Sequence, residues 1–445
     1  MKTIIRLASP LLLAAAFPAF AMDLRVTTFA DEYDGECSST HCSLRDAISV
    51  ANGLERSRII LSTGEYRLAH ANLRDEENEI IDEDDNLVGD LDVMSTVTIV
   101  GKGIGQTILH GADLDRLIEV MPEGRLTLRD LTITGGRTPH RGAGLENRGA
   151  TELLRVSIGG NSASSAFIHG QGGGIANSGS LLIKNSIISG NYAGGSESAL
   201  GSGGGIYNTG ALWMRDSRVG SNRCNDDNDS GEGCGLYNTS LAEISRSVFD
   251  GNENGPYGTG SAILNRGQLR LSNTTLSGNS AGEYGGAALD NGAAWGVDNR
   301  DVEAELMNVT IADNQGYGLV NRANLTLRNS VVAGNRKYDS DAPGNCQNLG
   351  AGANYSSRGL LLGNDGGNCV AEYGIDDATT FTRHLFPLAA NNGTLVHTLR
   401  RTSAAIDAAV GSCSSHDQRG LDRPRDGNGD GLAVCDLGAF ERAYP

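Results

Sequence analysis

Seven consecutive segments of the chain can be laid over one another in a single register, and a repeat of this kind restricts the fold more than composition does. The clearest copy reads GGGIANSGSLLIKNSIISGN from Gly172 to Asn191, with corners at Asn177, Asn185 and Asn191. The first corner recurs as Asn147, Asn208, Asn238, Asn265, Asn291 and Asn321. The third recurs as Asn161, Asn222, Asn252, Asn279, Asn314 and Asn335. Six residues lead from the second corner to the third in every copy, and eight lead from the first to the second in all but the copy of Asn291.

The residues between corners say what is repeated. Leu145, Ile175, Ile206, Leu236, Ile263, Leu289 and Leu319 stand two before the first corner. Aliphatic residues, with one Met and one Phe, recur two before the second corner and three before the third. Each short segment alternates about its apolar residue, the period of a strand. Each copy is therefore three short strands and three corners. Stacked copies place like residues about 4.8 Å apart in parallel sheets. Asn suits the corners because it tolerates left-handed backbone and its amide can bond along the stack. Parallel crossovers are right-handed almost without exception. The pattern predicts an all-β chain, a right-handed parallel β-helix of about nine or ten coils closed by non-repetitive caps. The density of Gly and the eight-residue corner spacing argue against a helical repeat.

Residues 1–21 read as a secretory signal peptide: Lys2 and Arg6, an apolar run from Leu11 to Phe17, then Ala19-Phe20-Ala21. Residues 22–92 form the expected N-terminal cap, 93–345 the β-helix and 346–445 a second non-repetitive region. The segment Leu117 to Gly136 reads as a degenerate coil with Pro122 and Asp130 at its first two corners. A net charge of −18 argues against a nucleic-acid partner. No later stretch is apolar enough for a transmembrane helix. These features predict an exported or cell-surface protein, monomeric, without a membrane span. Its eight Cys fall into neighbouring pairs: Cys37 with Cys42, Cys224 with Cys234, Cys346 with Cys369, and Cys413 with Cys435. In an exported chain these read as four disulfides.

The ends carry a resemblance. DGECSSTHCSLRDAISVAN, from Asp34 to Asn52, resembles the motif of bacterial CSLREA-domain proteins, with Asp46 where the name has Glu. NNGTLVHTLRRTSAAIDA from Asn391, then Asp417 to Gly420, Arg423-Pro424 and CDLGAFE from Cys435, resemble the choice-of-anchor Q region of secreted bacterial β-helix proteins. The resemblance implies export and a right-handed β-helix. It implies no single activity. Such proteins often end in a surface-anchoring signal, whereas this sequence runs only to Pro445.

Corner spacing locates the variable edge. The coil from Asn314 to Asn335 is minimal, at 21 residues. Earlier coils add residues between third and first corner, in the order 9, 10, 9, 6 and 5. These inserts project from one edge as a wall, and loops held by a rigid scaffold commonly bind ligands. Beside the wall, Gly144, Gly174, Gly205, Gly235, Ala262, Ala288 and Gly318 are expected to face outward as a smooth floor. Tyr207 and Tyr237, in adjacent coils, are expected to offer faces for sugar rings. The insert near Trp295 is a further candidate contact. The favoured reading is a non-catalytic protein that binds extracellular or envelope polysaccharide. The alternatives are a polysaccharide lyase drawing on His169, Tyr207, Tyr237, Glu146 and Asp290, or a purely structural surface protein. The N-T-D, G-H-G and R-I-K signatures of β-helix hydrolases are absent.

Structural Ca²⁺ is expected in the tail, where Asp426, Asn428 and Asp430-Gly431 match the opening of a D-x-N-x-D-G loop and Asp436 follows. Asp226, Asp227, Asp229 and Glu232, between Cys224 and Cys234, form a second acidic cluster of hard oxygen donors.

Overall fold

Leu145, Ile175, Ile206, Leu236, Ile263, Leu289 and Leu319 are all fully buried, stacked as one ladder of a continuous core. The computed structural model describes residues 22–444 apart from 72, 75–79, 82–83, 166–167, 196–199, 225–230, 283–285, 293–298, 339 and 351–353. The signal-peptide segment and Trp295 thus lie outside the described residues.

The first strands of successive coils, from Leu91–Val93 to Cys346–Asn348, form one ten-stranded sheet. Second and third strands form a larger sheet; Ser180–Lys184 pairs in parallel with Ala211–Arg215, and Ile187–Ser189 with Arg218–Gly220. The chain is a parallel β-helix. The inserts are themselves stacked in short parallel strands, among them Ser162–Ser165 on Tyr192–Gly195 and Gly170–Gln171 on Gly201–Ser202, so the wall continues the coils' register.

The corners divide two tasks that the sequence merges. First-corner amides run as a chain, Asn147 Nδ2 donating to Asn177 Oδ1 at 2.7 Å, Asn177 to Asn208 at 2.7 Å, and onward to Asn348. Third-corner amides do the same, Asn161 to Asn191 at 2.9 Å and onward to Asn345. The laddered Asn themselves are not left-handed: left-handed backbone falls on the second corner, at Asp130, Arg155, Asn185, Asp216, Arg246, Asn273, Asn308 and Asn329, and on the residue just before each third corner, from Gly160 to Gly334. Buried amides are retained where they bond up and down. Half-buried or exposed αL corners accept Asp and Arg as well, whereas Asn273, Asn308 and Asn329 are buried there.

Three expectations change. The degenerate coil places Val120, not Pro122, opposite Asn147, because Ile118–Val120 pairs with Leu145–Asn147. The parallel sheet also begins before Val93: Met22–Arg25 pairs with Arg56–Ile60, which pairs with Thr96–Val100. Finally, the tail returns along the third-strand face. Thr275 donates to Gln418 at 2.6 Å, Ser277 bonds His397 at 2.9 Å, and Ala439 N donates to Thr310 at 2.9 Å.

The open first coil is covered by the helix Leu44–Asn52, which buries Leu44, Ala47, Ile48 and Ala51. The motif from Cys42 onward explains its placement. Ser43 caps the helix by accepting from Asp46 N at 3.0 Å, and the Asp46 carboxylate accepts from Asp34 N and Gly35 N. Arg45 is fully buried, paired with Asp31 at 2.8 Å and donating to the carbonyls of Val88, Gly89 and Asp90.

The disulfides follow the expected neighbour pairing. Cys37 is joined to Cys42, Cys224 to Cys234, Cys346 to Cys369, and Cys413 to Cys435. They do not share one environment. Cys224 and Cys234 are buried where the wall meets the coil, so their bridge closes the base of an insert. Cys346 is buried in the last first strand, whereas Cys369 is only partly buried and packs against the edge of the core. That bridge pins the chain after the last coil onto the coil itself. Among the described residues no helix is long and apolar enough to cross a membrane.

Candidate functional site

The position one before the first corner points outward beside the wall, and its occupants change along the axis. Asp92, Glu119 and Glu146 stand in register on three successive coils, followed by Ala176, Tyr207 and Tyr237. Three stacked carboxylates at one strand spacing would repel one another unless cations lie between them. Arg116 supplies one. Its Nε lies 3.0 Å from Asp90 Oδ2 and its Nη1 2.6 Å from Glu119, and it also pairs with Glu146. Arg148 pairs with Glu119, and Arg141 Nε lies 3.6 Å from Glu146. Burial pushes the Asp90 carboxyl well above the carboxylate range; Arg116 opposes this, and Asp92, Asp115 and Glu119 reinforce it.

Above this network lies a cleft of about 390 Å³. Its base is Arg116, Glu119 and Glu146; its rim is His140, Arg141, Arg148 and His169, with Ile168 and Gln171 completing the wall. Three arginines face two glutamates there, so the cleft is net positive inside a strongly acidic chain. His169 Nδ1 accepts from Leu200 N at 2.7 Å, which places the ring proton on Nε2. His140 is exposed and lines the same cleft. The cap motif reaches this site, because Arg45 holds the carbonyl of Asp90.

The structure thus gathers Glu146 and His169 into one cleft and leaves the other expected residues out of it. Asp290 is fully buried and committed: it accepts from Gly260 N at 3.0 Å and Ala287 N at 3.3 Å and pairs with Arg322 at 2.5 Å. Burial raises its carboxyl, Arg322 opposing. It has no open face for a substrate. Tyr207 and Tyr237 stack on each other, and Tyr237 is only 7% exposed, with its hydroxyl bonded to Arg266 at 2.7 Å. Burial raises both phenols.

The glycine floor is also corrected. A Cβ on Gly144 would lie 2.9 Å from Ile158 Cγ2 and 3.0 Å from Asn161 Nδ2; on Gly174 it would lie 2.8 Å from Asn191 Nδ2. These residues face the third-corner amides inside the coil, where only a hydrogen fits.

In the tail, Asp426 accepts from Gly429 N at 2.6 Å and Gly431 N at 2.9 Å, Asn428 from Asp430 N at 2.8 Å, and Asp430 from Leu432 N at 2.8 Å. Asp436 is buried beneath this exposed loop, accepting from Asp407 N and Arg442 N, while the Asp407 carboxylate accepts from Gly427 N and Asn428 N of the loop. Asp226, Asp227 and Asp229 lie outside the described residues. Glu232 pairs with Arg266 at 2.5 Å.

The sequence reading missed Arg116, Arg141, Arg148 and His140. The signal was there: placing Val120 at the corner aligns Glu119 with Glu146, and the charge of that row demands arginines nearby.

No protein-family profile matches the chain, and a search of curated proteins finds no relative. Among solved structures it is similar to the crystal structure of pectate lyase Pel9A, at 14% identity over 95% of this chain and 97% of that one, TM-score 0.49. It is also similar to the PL6 family alginate lyase AlyGC, at 12% identity over 95% of this chain, TM-score 0.35, spanning 59% of that chain. Scores at this level say nothing about activity, and the fold rests on the strand register above.

Proposed function

We propose that this is an exported β-helix protein that acts on an acidic polysaccharide by β-elimination in the first-strand cleft. The observation that carries the proposal is the convergence of two exposed histidines and two rim arginines over a neutralised carboxylate base. Elimination from a uronate chain needs a cation at the sugar carboxylate, a base for the α-proton and a donor for the departing glycosidic oxygen. Arg141 and Arg148 take the carboxylate. His140 takes the proton. His169, its Nδ1 held as acceptor, presents Nε2–H to the oxygen. The C–O bond breaks as the ring double bond forms; neutral His169 hydrogen-bonds the departing oxygen and keeps its proton, and the proton taken by His140 passes through solvent to that oxygen.

The resemblance to CSLREA-domain and choice-of-anchor Q proteins supports export, with residues 1–21 as leader, and four disulfides suit an oxidising compartment. The non-catalytic binding reading loses its chief motive with the two Tyr stacked on each other. Mass spectrometry of polygalacturonate or alginate digests separates the readings. Elimination leaves an unsaturated end, hydrolysis adds water, and binding alone leaves the polymer intact.

A further inference from the structure

The outer face of the second strands carries a different groove. One row of outward residues runs Leu182, Trp213, Glu243, Arg270, Glu305 and Thr326 in register. The next runs Arg215, Ser245, Ser272, Met307 and Arg328, continued by Arg358. The two serines are short, so a trough opens between the Trp213 end and the Met307 end. It holds about 600 Å³.

Its side chains are unequally committed. Arg270 bridges Glu243 at 2.9 Å and Glu305 at 3.3 Å. Arg215, Arg328 and Arg358 are exposed and make no ion pair with the described residues. Trp213 makes no ring contact with them, though its outward position on the strand leaves it only half-covered. Three arginines against two glutamates make the trough net positive, on a chain of net charge −18. An indole costs little side-chain entropy to fix and stacks on the apolar face of a ring sugar. Arg215 and Arg328 stand four coils apart, about 19 Å at the strand spacing.

We propose that this trough is a second, non-catalytic site that holds a linear acidic polysaccharide along the helix axis, with one sugar ring on Trp213 and its anionic groups on Arg215 and Arg328. The proposal shares only the class of ligand with the elimination reading and uses none of the cleft residues. A polymer could thus be held on one face while another stretch of it enters the cleft on a different face.

The test is affinity electrophoresis of the full chain in gels containing polygalacturonate or alginate, with neutral dextran as control. Wild-type protein is expected to be retarded by an acidic glycan and not by dextran, with retardation falling as salt rises. Trp213→Ala and the pair Arg215→Gln with Arg328→Gln are each expected to weaken retention about tenfold or more, the size of one lost stacking or charged contact. Both should still melt cooperatively, because Arg215 and Arg328 are exposed and Trp213 is only half-covered. Turnover of the same polymers is followed separately in wild type, so failure of the elimination reading alone appears as retention without turnover. Equal retention of wild type and both variants overturns the proposal, as does no retention of wild type in either acidic gel. So does concentration-dependent self-association abolished by Trp213→Ala, which would assign the trough to a second copy of the chain.

Discussion

Tyr237 lies flat against Tyr207, ring centroids 5.0 Å apart and planes 10° from parallel. The two rings cover each other where coils meet, so the stacked faces are already spent on the neighbour. Arg266 then sits 5.3 Å over the Tyr237 ring and bonds its hydroxyl, while pairing with Glu232 at the foot of the wall. The pair is packing that ties floor to wall.

Tyr237→Ala is therefore expected to act on stability, by about 3–5 kcal/mol, as for other buried aromatic truncations. Denaturant melts should show the loss. A variant as stable as wild type would mean that the ring is not packed as described.

The asparagine chains make a separate prediction. Asn222 is fully buried; its Nδ2 donates to Asn252 and Ile188, and its Oδ1 accepts from Asn191. Asn222→Ala removes these bonds and leaves neighbours above and below unsatisfied, at about 1–3 kcal/mol for each orphaned group. The second-corner Asn185 has left-handed backbone at an exposed corner, and Asn185→Gly should change stability by only a few tenths of a kcal/mol. Equal losses at the two positions would contradict the division of labour between corners.

How far the sequence carried the fold follows from those corners. Buried amides that bond coil to coil leave a periodic trace in the residues, so register, strand number and inward ladders were legible. The cleft was not, for two reasons. Its first coils replace the corner Asn with Val93 and Val120, which hides the alignment of Asp92, Glu119 and Glu146. Its cations come from loop positions with no period, such as Arg116 and Arg141. Gly144 and Gly174 misled for a related reason: alternation assigns them outward, but the chain bends just before the three-residue strand and turns them onto the asparagines.

The tail should respond to pH. Burial, with Glu441 beside it, raises the Asp436 carboxyl to about 7 from an ordinary 3.8. A group that holds its proton more tightly when folded stabilises most below its unfolded value and loses that contribution as pH rises through the folded value. Glu441 is raised too, chiefly by burial, so it acts in the same direction. Thermal melts should therefore show tail stability falling between pH 3.8 and about 7 and levelling above, with a shallower slope in Asp436→Asn. The same slope in both proteins would remove Asp436 as the cause.

Asp426 and Asp430 keep lone pairs for a cation while they accept the loop's amides, so those bonds hold the loop with or without calcium. Chelation by EDTA is expected to leave the melting temperature unchanged. A fall of several degrees, restored by Ca²⁺, would establish a structural calcium site there.

The central claim is that the first-strand cleft performs elimination on an acidic glycan. The most direct measurement is ultraviolet absorbance of unsaturated product from polygalacturonate and alginate, followed with wild type, His140→Ala, His169→Ala and Tyr207→Phe. Wild type should turn over at least one of the two polymers. Each histidine variant should lose about 10²-fold or more in rate, the usual contribution of a positioned acid or base, and Tyr207→Phe should not. No unsaturated product from either polymer, or full rates in both histidine variants, would contradict the account.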